Sequence, residues 1–306
     1  MRFVIDDGAF RGWDAPTLDL PESVSLLSEL LLDLRGSRKP VGILGGWGSL
    51  QVTEADDLAT VLASRFDMID RDLGSLLLGL LSKCIVWDDG PSVVVSDDDL
   101  RVDEMKYASL GVAYAAAEAS EGRGVGVVTM VHTGFAALCH VSSEGFGGQL
   151  VFVVRPSDCK YFYRSLYSLE DIAQSSFFDL VVEAFPDLCF AADITFSKFY
   201  GGYSQRDRVV AHLSALNDEF MRYYISEHGN SAQISANIGI DVSIEGNTRS
   251  SERLMAMRDV IFEGRKYRCE WHSKLEPHRN RIHFYPGDST MDGKILIGIF
   301  VDHLPT

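Results

Sequence analysis

Apolar positions recur along the chain with two periods, near 3.6 and near 2, and their alternation predicts a mixed α/β fold. Phe3–Ile5 reads as a short apolar strand. Asp19 followed by Pro21 opens a helix in which Val24, Leu27, Leu30, Leu31 and Leu34 share one face and which Gly36 ends. Val41–Leu44 reads as a buried strand running into Gly45-Gly46-Trp47-Gly48, and Thr53 with Asp56 marks a helix start. A leucine-rich helix over about Arg71–Lys83, a strand at Val93–Val95 and an alanine-rich helix at Ala108–Ala119 follow. Val125–His132 and Leu150–Val154 read as strands around the turn Gly145-Phe146-Gly147-Gly148. Two long helices are expected, Ser168–Phe185 ended by Pro186 and Arg206–His228 ended by Gly229 and Asn230. Ile234–Ile244 alternates like a strand, and Ser250–Phe262 reads as the last helix.

The remaining residues read as a three-stranded antiparallel meander: Tyr267–Leu275, Arg281–Tyr285 and the wholly apolar Lys294–Val301. In the first strand Tyr267, Cys269, Trp271 and Leu275 point one way, and Arg268, Glu270, His272 and Lys274 the other. A four-residue loop, Glu276 to Arg279, sets Lys274 opposite Arg281, His272 opposite His283 and Glu270 opposite Tyr285. It also keeps Trp271, Leu275, Ile282 and Phe284 on a common core side. A loop one residue longer would send the two polar sets to opposite faces.

Charge divides the chain unevenly. Of 28 Lys+Arg and 44 Asp+Glu, residues 247–306 hold 10 and 8, which leaves 18 against 36 in residues 1–246. A boundary is therefore expected near Gly246, between an acidic α/β region (residues 1–246, with a subdivision near 100–106) and a C-terminal helix-plus-meander. A net charge of −16 excludes a general nucleic-acid coat, whose affinity for phosphates needs excess cations. Five dispersed cysteines without a CxxC pair suggest reduced thiols, not a disulfide framework. The N-terminus MRFVIDDGAF lacks a signal-peptide core, and the longest leucine run is far short of the roughly 18–20 apolar residues that span a bilayer. A cytoplasmic location and no membrane partner are the expectations.

The polar face of the meander is where chemistry is expected. Like charges gathered on one face are unfavourable unless an anion neutralises them. Lysine beside arginine suits a phosphate, because guanidinium binds it bidentately and ammonium adds a point charge. Imidazoles can move the protons of phosphodiester cleavage. His272, Lys274, Arg281, His283 and Tyr285 are the expected catalytic residues, and Arg268, Arg279 and His303 the expected substrate contacts. That scheme needs no metal and no cofactor. A zinc site from His272, His278, His283 and His303 is conceivable, but the spacings are irregular and His278 falls in a loop. Asp6 and Asp7 follow the first strand, where magnesium-dependent nucleases often place a carboxylate, although aspartates also cap turns there. The acidic run Asp97-Asp98-Asp99, with Asp88 and Asp89 upstream, could hold a cation, but such runs are more often solvated loops. Gly45-Gly46-Trp47-Gly48 fits neither a Walker loop nor GxGxxG.

The helix Ser250–Phe262, the hairpin YRCEWHSKL…RIHFY and the strand KILIGIFV resemble the C-terminal sheet of the RelE/HigB-type bacterial toxins, which are mRNA interferases. The resemblance covers about 57 residues. It implies RNA cleavage, with Lys274, Arg281, His283 and Tyr285 at family-like sheet positions. The expected function is a metal-independent endoribonuclease or toxin-like effector in a bacterial defence or toxin–antitoxin context. RNA is the expected partner, with a protein partner or antitoxin held by the acidic N-terminal region. The alternative is a non-catalytic interaction subunit of a multi-protein assembly, whose acidic region binds a protein.

Overall fold

Short apolar runs form the centre of the first unit, as their β-branched composition favours. A computed structural model describes residues 2–87, 99–135, 137–144 and 146–305. Its two units are Met1–Glu170 and Asp171–Thr306. In the first, strands β1 (Phe3–Ile5), β2 (Val41–Leu44), β3 (Ile85–Trp87), β4 (Arg101–Val102), β5 (Met105–Lys106), β6 (Gly126–Val128), β7 (Leu138–Ser143) and β8 (Phe146–Val153) make one sheet. Its order is β3-β2-β1-β6-β8-β7-β4-β5. The first five are parallel, and β7, β4 and β5 extend the sheet antiparallel.

Helices cover this sheet where the sequence places caps. Asp19 caps Leu20–Gly36, Asp70 caps Arg71–Leu81 and Ser109 caps Leu110–Ser120. The helix near Thr53 starts later, at Leu58, and is capped by Asp57. The Thr53 hydroxyl instead accepts from the Asp56 amide in the preceding turn. Gly111 lets the alanine-rich helix sit directly on β1, since a Cβ there would lie 2.0 Å from the Ile5 carbonyl oxygen. The expected strand at Val93–Val95, Asp88, Asp89, Asp97 and Asp98 lie outside the described residues.

The second unit is built on β9 (Leu188–Phe190), β10 (Val242–Ile244), β11 (Asp259–Phe262), β12 (Arg265–Arg268), β13 (Trp271–Glu276), β14 (Arg279–Tyr285) and β15 (Ile295–Val301). Five of these form a sheet in the order β10-β13-β14-β15-β9, and β11 pairs with β12 alone. Trp271 and Phe284 on one face pack against Phe220 from the helical stretch 206–226, which contains a π turn at Leu216–Phe220. Asn280, buried with φ 57°, accepts a hydrogen bond from the Tyr200 amide at 2.8 Å and donates one to the Tyr200 carbonyl at 2.9 Å. The fold is thus mixed α/β. Among the described residues, no helix is long and apolar enough to cross a membrane.

Several expectations are corrected. No boundary falls near Gly246, because β10 pairs with β13 and β9 with β15, tying residues 188–244 into the C-terminal sheet. By compact unit, the charged residues are 14 basic against 25 acidic for residues 1–170, and 14 against 19 for 171–306. The subdivision near 100–106 is absent, since β4 and β5 belong to the large sheet. Ser250–Phe262 is not one helix. A single turn, Glu252–Met255, leads through Arg258 into β11, and Glu263 and Gly264 reverse the chain into β12 with φ of 48° and 75°. Ser168–Phe185 breaks into a 3-10 turn (Gln174–Asp179) and one helical turn (Val181–Ala184). Ile234 lies in the helix Ser231–Ile238, so the strand begins only at Val242.

Candidate functional site on the C-terminal sheet

The β13–β14 hairpin has the expected register. His272 pairs with His283 and Lys274 with Arg281, while the Trp271–Phe284 and Ser273–Ile282 pairs face the aromatic core. The strands run one pair further than expected, to Glu276–Arg279, so only Pro277 and His278 form the turn. Burying Trp271, Ile282 and Phe284 on one side forces His272, Lys274, Arg281 and His283 onto the other.

This polar face is graded from a closed end to an open one. At the closed end the two imidazole rings lie 5.2 Å apart, and Glu245 Oε1 is 3.5 Å from His272 Nδ1 and 3.9 Å from His283 Nδ1. Arg258 Nε lies 2.8 Å from the same oxygen, out of line for a hydrogen bond, while its terminal amino groups donate to the Leu254 and Pro305 carbonyls. Ser243, across from His272 on β10, places its hydroxyl 3.0 Å from His272 Nε2. Only 1% of the His283 side chain is exposed against 10% for His272, so His272 alone can meet a solute. At the open end Lys274 Nζ reaches both oxygens of Asp241 at 3.1 Å, and Arg281 keeps Nη1 buried without a hydrogen-bond partner.

Burial holds both imidazoles neutral at pH 7. It lowers the His272 pKa to about 4, against the opposing pull of Glu245, and nearby Arg281, Lys274 and Arg258 lower it further. His283 is driven well below its usual value, chiefly by burial and then by its neighbour His272. Arg281 is also lowered by burial, partly offset by Glu245, Asp241 and Asp302.

Other expected site residues lie elsewhere. The β13–β14 ladder ends at the Trp271–Phe284 pair, so Tyr285 has no partner on β13; its ring packs on Tyr267 at 5.4 Å and its hydroxyl donates to Asp288. Glu270 lies outside β13 and pairs with Arg249, not Tyr285. Arg268 is held by Glu252 and Asp259 on the separate β11–β12 hairpin, so it is neutralised already. Arg279 stacks over the Tyr200 ring at 4.1 Å and faces Glu276. His303 is exposed beyond β15 and His278 is exposed in the turn, so the four-histidine zinc set does not assemble. Glu245 and Arg258 had no local signal: Glu245 reads as part of a turn, and its partners are 13 to 38 residues away in sequence.

In the first unit Asp6 and Asp7 do lie at a carboxyl strand end where the sheet order reverses between β1 and β6. Both hold the fold together, although Asp7 does so through Oδ1 alone and its Oδ2 is buried without a partner. Asp6 accepts from Thr129, Tyr107 and the Gly8 amide, and Asp7 from Ser109 and the Gly111 amide. No protein-family model, curated protein or solved structure matches this chain.

Proposed function

We propose that the chain is an endoribonuclease that cleaves RNA without a metal, on the polar face of the β13–β14 hairpin. The observation that carries this reading is the direct opposition of Lys274 to Arg281 beside His272, with a buried Arg281 amino group lacking a partner. A scissile phosphate would take up that amino group and draw Lys274 from Asp241. His272, already neutral, would accept the proton of the 2′-hydroxyl as that oxygen attacks phosphorus. The bond to the 5′-oxygen breaks, and the leaving oxygen takes its proton from Lys274 or water at the open end. The products are a 2′,3′-cyclic phosphate and a 5′-hydroxyl. His283 is too buried to touch RNA and acts by packing against His272. What remains of the resemblance to RelE/HigB-type toxins, the β13–β14 hairpin and the strand β15 without the expected helix before them, supports the same chemistry and a bacterial defence or toxin–antitoxin setting.

The test is cleavage of RNA by the purified full chain in EDTA. We expect cyclic-phosphate ends and a loss of about 10²-fold or more for Lys274→Ala/Arg281→Ala, with circular dichroism unchanged. No cleavage by the wild-type chain, or equal cleavage by the double variant, overturns the reading. One observation favours a second reading, a non-catalytic interaction subunit that binds a protein through its acidic surface: Lys274 is already held by Asp241. An inert wild-type chain that co-purifies with a partner would favour it.

A further inference from the structure

Glu245, His272 and His283 present three ligand atoms within 4.8 Å of one another, all from buried residues, and no other such trio occurs among the described residues. Buried polar atoms are nearly always hydrogen-bonded, and an orphan costs roughly 1–3 kcal/mol. Here His272 Nδ1 and both nitrogens of His283 lack a well-formed hydrogen bond, although the Cys269 backbone lies beside His283. The Nδ1 atoms of both rings face one carboxylate oxygen, at 3.5 and 3.9 Å. Two donors each about 2.0–2.1 Å from a tetrahedral ion stand roughly 3.4 Å apart. The separations to the carboxylate are therefore close to those of ligands around one ion.

We propose that Glu245, His272 and His283 bind one divalent ion of the zinc class. Two imidazoles and a carboxylate favour zinc, cobalt or nickel over magnesium or calcium, which prefer oxygen shells. Three protein ligands leave a fourth position for water or a solute. The outer partners are already placed. Ser243 orients His272 through Nε2, and Arg258, pinned by two backbone carbonyls, steadies the carboxylate. Arg258 is the counter-ion of Glu245 in the ion-free chain, and its positive charge limits affinity without closing the site. An ion here occupies His272 and withdraws it from proton transfer, so zinc would inhibit the cleavage proposed above. The site itself stands on the trio's geometry and is tested apart from cleavage.

Cobalt(II) titrated into the metal-free full chain should give visible d–d absorption that saturates at one equivalent and is displaced by zinc(II). Long-range proton–nitrogen NMR should shift Nδ1 of both His272 and His283. Losing an outer partner of a metal ligand costs about 10–100-fold in affinity, so Glu245→Gln or His272→Gln should cost at least about 100-fold. Lys274→Ala/Arg281→Ala should retain cobalt. Absence of cobalt and zinc binding to the wild-type chain overturns the proposal. So does binding that persists in folded Glu245→Gln and His272→Gln, or that leaves both imidazole signals unmoved. If those variants fail to fold, the wild-type NMR result decides alone.

Discussion

The two units bury carboxylates by opposite means. In residues 1–170, Asp6 and Asp7 are enclosed by neutral donors, hydroxyls and backbone amides, with no cation in contact. In residues 171–306, Glu245 is enclosed with a guanidinium and two imidazoles. Neutral donors can satisfy oxygen lone pairs but do not cancel charge. Burial accordingly raises Asp6 to about 6, with its hydrogen bonds pulling the other way and Asp7 adding to the rise. The first arrangement fixes a strand end to a helix start and leaves one oxygen, Asp7 Oδ2, without a donor, while the second leaves three ring nitrogens unsatisfied beside one carboxylate. Only the second gathers ligand atoms from three side chains around one point, and that gives it capacity for a ligand.

The sharpest way to break this contrast is to remove the counter-ion. Arg258→Met leaves Glu245 buried and unpaired, and should cost about 3–5 kcal/mol in denaturant unfolding. The double variant Glu245→Leu/Arg258→Met should recover much of that, and a single-variant cost below about 1 kcal/mol would erase the contrast.

Next comes pH. A carboxyl whose pKa rises on folding favours the folded state most when protonated. The Asp6 contribution should therefore be full below pH 3.8, fall between 3.8 and 6, and stay low above it. The rise corresponds to roughly 3 kcal/mol. Asp6→Asn should flatten this part of the stability profile, though its single acceptor oxygen can keep either the Gly8 amide bond or those from Thr129 and Tyr107, not both. Parallel profiles for wild type and variant would show that Asp6 titrates normally.

Smallest is the helix start beside Asp7. Ser109→Ala removes both the cap on Val112 and a donor to Asp7, and should cost about 1–2 kcal/mol in thermal or denaturant unfolding. A neutral effect would detach Asp7 from the stability of that helix.

The hairpin register was legible because large apolar side chains at 271, 282 and 284 admit only one pairing, and pairing fixes the polar face. The cap at Asp19 was legible from its local pattern, whereas the alanine-rich helix was expected from Ala108 and is capped at Ser109. The helix expected over Ser250–Phe262 failed because Leu254, Met255 and Met257 suit a helix, whereas the Glu263-Gly264 reversal decides the structure downstream. Tyr285 was misplaced because the β13–β14 ladder stops at Trp271–Phe284, and its contacts with Tyr267 and Asp288 leave no trace in the alternation within β14. The Glu245–Arg258 contact is tertiary and left no local pattern.

At Asn280 a single side chain acts as a rung of β-ladder. Its amide offers one acceptor and one donor to the backbone of Tyr200, while its own backbone takes a left-handed conformation. Glycine would accept that conformation and lose both bonds, aspartate would accept from the amide but could not donate, and longer amides would overshoot in a fully enclosed space. One planar group thus stitches a loop to a hairpin eighty positions downstream, and the choice of amino acid there is reduced to one by geometry and valence together.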